Sequence, residues 1–197
     1  MEALGRLDYP KPPLSDDLVA LRPWEARDVG CVESARLDAA TAGRTTLPGP
    51  AGEGDGLDWI SRQWRRQEDR DGISLAICDQ ASDTAHGAVV LLLTSEPGVA
   101  DVGYWLAPGA RGQGYATHAV RLIACWALTV AGFARVGALV DPDNTPSRHV
   151  LERARFVREG RLRSRLSVAD RHLDALAYSL VARDLSGMPS PIQPPSR

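Results

Sequence analysis

The sequence predicts a single-domain mixed α/β fold, with one mostly antiparallel sheet and a parallel β-α-β unit at its centre. Three observations carry this. Ile73–Cys78, Ala88–Leu93 and Val99–Leu106 are short apolar runs separated by polar or Pro-Gly turns, the pattern of an antiparallel meander. Val99–Leu106 leads through a glycine-bearing loop into a long helical pattern and then a strand, Arg135–Val140. Two strands joined by a helix of that length run parallel, with a right-handed connection. The last third adds a capped helix and two more strands.

The elements follow in order. Residues 1–16, with Pro10, Pro12 and Pro13, predict an extended arm ahead of a domain over 17–185. Residues 186–197 carry four prolines and predict a disordered tail. Leu18–Arg22 is an apolar run stopped by Pro23, a first strand. Val29, Val32, Ala35 and Ala39 form one stripe, so Glu25–Ala40 is expected to be helical. Thr41–Gly56 has five glycines and two prolines and predicts no regular element; a long segment of this kind often flanks a ligand cleft. Leu57–Arg70 resumes helical spacing through Ile60, Trp64 and Gln67, with Gly72 expected to end it. Gly114–Ala131 is the long helix, stopped by Gly132. Asp141–Asn144 is a turn; Thr145 as N-cap and Pro146 as first helical residue open a helix to about Arg153. Strands are expected from Phe156 to about Ser164 and over Leu173–Val181.

Bulk properties exclude several classes. Of 197 residues, 44% are hydrophobic and 24% charged, as in soluble globular proteins. A net charge of −2 lacks the basic footprint of nucleic-acid binding, and no apolar run approaches the roughly 20 residues of a membrane span. Lys11 is the one lysine beside 22 arginines, which biases the chain toward bidentate anion contacts. Cys31, Cys78 and Cys125 are far apart, with no CxxC pair and no metal-ligand spacing. They read as buried small hydrophobes in a reducing cytoplasm, with no metal.

The chemistry centres on Asp101–Thr117, DVGYWLAPGARGQGYAT. A glycine loop opening a helix presents amides that have no intrahelical acceptor, at the positive end of the helix dipole, and so forms a phosphate site. The loop lacks the Gly-Lys-Ser/Thr of a Walker motif. It also lacks the third small residue and downstream acid of a dinucleotide fingerprint, which counts against a nucleotide-binding oxidoreductase.

Arg111-x-x-Gly114-x-Ala116 after a GYWL strand, followed by the long helix, the strand and Asn144-x-x-Ser147, resembles the GNAT superfamily of acyl-CoA N-acyltransferases. The early LRP (Leu21–Pro23) and the closing LDALAYSLV also fit, so the likeness spans about Leu18 to Leu185. It looks closest to the branch that includes the ribosomal-protein N-terminal acetyltransferases. The resemblance implies helices on both faces of the sheet and a central parallel pair that splays apart to admit acyl-CoA. It implies a cytoplasmic enzyme that moves an acetyl group from acetyl-CoA to a primary amine, by direct attack in a ternary complex. The acceptor is a protein N-terminus or a small-molecule amine, with no nucleic acid or membrane partner and a homodimer as one expected assembly.

The resemblance also assigns residues. Backbone amides of Gly112, Gln113, Gly114, Tyr115, Ala116 and Thr117 would hold the coenzyme A pyrophosphate. Trp105 and Leu106 would pair by backbone with the pantetheine arm, and Asn144 would fix the slot. Arg111, Arg121 or Arg148 would meet phosphates. Asp101 stands where many relatives have a glutamate, with Glu96 nearby as another acid, and is the expected base. The family's helix tyrosine is replaced by Leu151, which leaves Ser147 as the thiol partner. His118 and His149 read as ordinary helix histidines. Arg155 stands where relatives carry glycine before Phe156, near the expected acyl end of the slot, and opens the choice of succinyl-CoA. The alternative is a binding-only member of the same fold, an acyl-CoA sensor or scaffold.

Overall fold

A computed structural model describes residues 7–38, 41, 55–168 and 171–186. Eight strands form one sheet: β1 (Leu14–Ser15), β2 (Val19–Arg22), β3 (Gly72–Asp79), β4 (Ala85–Leu93), β5 (Val99–Leu106), β6 (Arg135–Val140), β7 (Val157–Val168) and β8 (Arg171–Val181). Their spatial order is β1-β2-β3-β4-β5-β6-β8-β7. Every neighbouring pair is antiparallel except β5–β6. The helices are α1 (Val29–Arg36), α2 (Gly56–Glu68), α3 (Tyr115–Thr129) and α4 (Thr145–Arg153). No helix among the described residues is long and apolar enough to cross a membrane.

Strand alternation sorts the core into two layers. Ile73, Leu75 and Ile77 of β3 and Ala100 and Val102 of β5 join one cluster with α3 and with Leu151 of α4. Ala76 and Cys78 of β3 and Trp105 of β5 join the other with Val32 and Ala35 of α1 and Trp59 and Ile60 of α2. Helices therefore cover both faces, as expected. Leu7 and Leu14 from the proline-rich arm are buried in the first cluster, and β1 pairs with β2 of its own chain.

The spacing located β5 and β6 to the residue. Several ends differ. α1 is shorter than its stripe, stopping at Arg36 with Leu37 exposed; residues 39 and 40, like most of the glycine-rich 41–56 segment and the 187–197 tail, lie outside the described residues. The left-handed residue ending α2 is Arg70, at φ +60°, rather than Gly72, and Asp71 N–H closes the turn on the Arg66 carbonyl. The N-cap of α4 is Asn144 rather than Thr145, because its side chain reaches the Ser147 amide at 3.2 Å. β7 runs four residues past Ser164, to Val168, and β8 begins two residues early, at Arg171. Cross-strand hydrogen bonding, which demands nothing of side-chain polarity, carries them on. β7 is an outer edge, with register shifts at Arg158/Gly160 and Leu162/Leu166.

Candidate active site

The site is built at a fork in the sheet. β5 and β6 pair through Val99↔Arg135, Ala100↔Val136 and Asp101↔Gly137, and there the ladder ends. Among the described residues, Val102–Leu106 continue along β4 alone. Backbone groups of that stretch that turn away from β4 therefore face an opening instead of a strand.

The loop beyond Leu106 meets the requirements of an anion cradle. Gly112 and Gly114 take φ of +77° and +93°, conformations that only glycine adopts without strain. A Cβ on Gly112 would touch nothing within 4 Å, so the space above it is free for a ligand atom. Gly114 is the N-cap of α3, and His118 N–H donates to its carbonyl at 3.1 Å. Amides ahead of His118 have no preceding turn to donate to. Gln113 Nε2 donates to the Gly109 carbonyl at 2.9 Å and braces the loop from within. Tyr115 and Ala116 are buried; the Tyr115 hydroxyl donates to Asp79 at 2.9 Å and its ring packs on His86. Their contribution to a ligand is through the backbone, as is that of half-buried Thr117.

Arg111 is turned elsewhere. Its Nη2 pairs with Asp38 just past α1 and donates to Thr41 Oγ1 at 2.6 Å and to the Leu106 carbonyl at 3.3 Å. Its side chain anchors the loop to the α1 side rather than offering itself to a phosphate. Asp38 is held below its ordinary pKa, first by this contact. Nothing in the sequence flags an ion pair spanning 73 positions. Arg121 lies 3.7 Å from Asp16, and Arg148 donates to the Pro142 carbonyl at 3.3 Å. His118 pairs with Asp16 at 2.7 Å, and His149 is exposed. Asp16, Asp17 and His118 lie close together, but Asp16 is already engaged by the Leu18 and Val19 amides and by His118.

Asp101, Gly103 and Trp105 share the α1/α2 face of β5. Trp105 is buried within a cluster of three indoles, 5.9 Å from Trp24 and 5.6 Å from Trp59. Leu106 is half-buried against the opposite layer. The Asp101 carboxyl hangs over Gly137, where it leaves no room for a Cβ. It has no hydrogen-bond or ion-pair partner among the described residues. Burial pushes its pKa up, opposed by the charges of Arg165 and Arg135. Arg135 is committed to Glu159, which it holds down at about 2 with help from Ser179. Glu96 is exposed in the turn before β5.

Across the fork stand Asn144 and Ser147. The Asn144 side chain accepts from the Ser147 amide, and the Ser147 hydroxyl lies 2.7 Å from the Tyr104 hydroxyl. Tyr104 also donates to the Ser147 carbonyl at 2.9 Å. The one signal of this tyrosine in the sequence is a polar-tipped ring at a core-facing position of GYWL. Leu151 is fully buried in the core. Arg155 is exposed at φ +67°, with Arg155 N–H on the Glu152 carbonyl and Phe156 N–H on that of Leu151. It lies in the turn that follows α4, past the C-cap Ala154.

A strand fork followed by a left-handed glycine loop at a helix start is the arrangement expected of an acyl-CoA site. The chain belongs to the GNAT acetyltransferase family: residues 19–157 match the Acetyltransferase (GNAT) domain. It is 33% identical over 96 residues to p20 of Bacillus licheniformis, named as an N-acetyltransferase, covering 49% of this chain and 54% of that protein. It is 36% identical over 88 residues to YdaF of Bacillus subtilis, assigned by name to the ribosomal N-acetyltransferases, covering 45% and 48%. The chain thus spans about half the length of these curated relatives. Among solved structures, RimJ of Mycobacterium smegmatis with CoA-disulfide superposes with a TM-score of 0.69 at 24% identity, covering 91% of this chain and 89% of that one.

Proposed function

We propose that the chain transfers an acetyl group from acetyl-CoA to a primary amine by direct attack in a ternary complex. The observation that carries this is the β5–β6 ladder ending at Asp101↔Gly137, ahead of a loop opened by Gly112 and Gly114. In this reading the amides from Gly112 to Thr117 hold the pyrophosphate, and the opening beside Trp105 and Leu106 takes the pantetheine arm. The amine comes from the α1/α2 face, where Asp101 takes its proton directly or through water. A backbone amide near Leu106 stabilises the oxyanion, and Ser147 faces the departing sulfur.

The name of YdaF supports an acceptor of the ribosomal-protein type; a protein N-terminus is the amine this reading expects, with small amines as the alternative class. The exposed Arg155 lends no support to succinyl-CoA over acetyl-CoA. The same reading places the protein in the cytoplasm; a homodimer is checked by mass in solution.

Acetyl-CoA at a hundredfold excess over its Kd is expected to stabilise the fold by about 2.7 kcal/mol, several degrees in Tm. Gly114→Glu, which puts a carboxylate into the cradle, should abolish that shift. An unmoved Tm in the wild type would falsify the acyl-CoA site. A binding-only role is favoured by one observation, Leu151 in place of the helix tyrosine. Release of free thiol on adding amine acceptors separates the two.

A further inference from the structure

We infer that Tyr104 is a positioning residue for Ser147, directing the serine hydroxyl proton across the fork toward the coenzyme A sulfur. This rests on the acyl-transfer reading above. Tyr104 lies on β5 beyond the last β5–β6 pair, and Ser147 lies in the first turn of α4. The two residues stand on opposite sides of the opening, joined by contacts of 2.7 and 2.9 Å.

A serine hydroxyl has one proton and rotates freely. A neighbour that donates to its oxygen leaves that proton to point elsewhere. Tyr104 is placed to be such a neighbour, because either hydroxyl of the 2.7 Å pair can be the donor. Burial raises its pKa well above the ordinary phenol value, so it keeps a proton to give. Two arrangements compete. When the phenol donates to the Ser147 carbonyl, the serine gives its proton back to the phenol. When the phenol donates to Oγ, the serine proton turns toward the opening. A sulfur gaining negative charge there needs a donor and selects the second arrangement.

In the step itself the C–N bond forms, the C–S bond breaks and the electron pair goes to sulfur. The amine proton goes to Asp101 or water. Neither hydroxyl loses its proton; Ser147 stabilises the thiolate by a charge-assisted hydrogen bond. Leu151, fully buried, offers no hydroxyl for this task.

The test needs no acceptor. The thiol of bound coenzyme A is titrated by thiolate absorbance in wild type, Tyr104→Phe, Ser147→Ala and the double variant, with acetyl-CoA affinity measured alongside. In the wild type the bound thiol should titrate about one unit below free coenzyme A, tenfold in thiolate population. Tyr104→Phe should lose most of that shift and Ser147→Ala all of it. The double variant should lose no more than Ser147→Ala, and Tyr104→Phe should bind acetyl-CoA within about twofold of wild type. A wild-type titration in Tyr104→Phe overturns the proposal. So does a parallel loss of acetyl-CoA affinity, which would make the pair only a bolt between β5 and α4. If Tyr104→Phe does not fold, a ring-fluorinated tyrosine at 104, nearly isosteric and a stronger donor, should lower the bound thiol pKa further; no change there also overturns it. Failure of wild-type protein to bind either coenzyme sinks the acyl-transfer reading instead.

Discussion

Asp101 is half-buried, faces the α1/α2 layer and has no bonding partner among the described residues. Burial raises its pKa, so the fold favours its protonated form, and ionisation above the raised value costs stability. Asp101→Asn is therefore expected to raise Tm at neutral pH while lowering turnover with any accepted amine. A Tm that falls would show the carboxylate to be a structural partner instead. Arg70 and Arg155 make the opposite case. Each occupies a left-handed helix end, at φ +60° and +67°, at a cost of about 1 kcal/mol that glycine would not bear. Arg70→Gly and Arg155→Gly should each raise Tm by a few degrees in a thermal melt. Arg155 keeps the left-handed stop of the glycine it replaces, although an arginine there favours a different turn. The role of Arg111 was not foreseen. Its partners Asp38 and Thr41 are brought to it by the fold and by no local pattern.

At the scale of elements, β5, β6 and α3 were legible because each carries its own signal: apolar runs between turns, and a helical stripe between glycines. The β7–β8 hairpin was legible only where it touches the core. Its outer half is mostly exposed and arginine-bearing, and the strands there pair through Leu166↔Leu173 and Ser167↔His172. Tyr115 shows how elements lock together at the site. Its hydroxyl ties the first turn of α3 to Asp79 at the end of β3. The Ser82 amide, this phenol and the Ser82 hydroxyl hold the Asp79 carboxyl down at about 2, against an ordinary 3.8. A depressed carboxyl contributes stability that is present above its unfolded pKa and lost as pH falls through the folded value. Wild type should thus lose stability between about pH 4 and 2 more steeply than Asp79→Asn. Urea midpoints across that range check it, and matching slopes would discard the link.

For the whole molecule, the candidate site is an interruption in an otherwise continuous sheet. Seven adjacent pairings hold eight strands together, and the one parallel pairing stops after three residues. Asp101 over Gly137 sits where the strands part. A methyl on Gly137 would press on that carboxyl. The sequence foretold a parallel pair, and the family likeness foretold its splaying. The residue at which they separate, Asp101 against Gly137, is seen only in the assembled sheet.

Among the described residues, the same sheet leaves twelve residues of β7 along an outer edge, with Val157 and Leu162 exposed. An unpaired strand of that length is a template onto which another chain can add, and unprotected edges drive proteins out of solution. Here Arg158, Arg161, Arg163 and Arg165 are exposed along it, and two register shifts bend it from the flat form that a second strand needs. The arginine-rich composition thus acts as a solubility device. Replacing Arg163 and Arg165 together by valine should leave acetyl-CoA binding intact and produce time-dependent light scattering, because the cations that keep this edge from growing into a shared intermolecular sheet are gone.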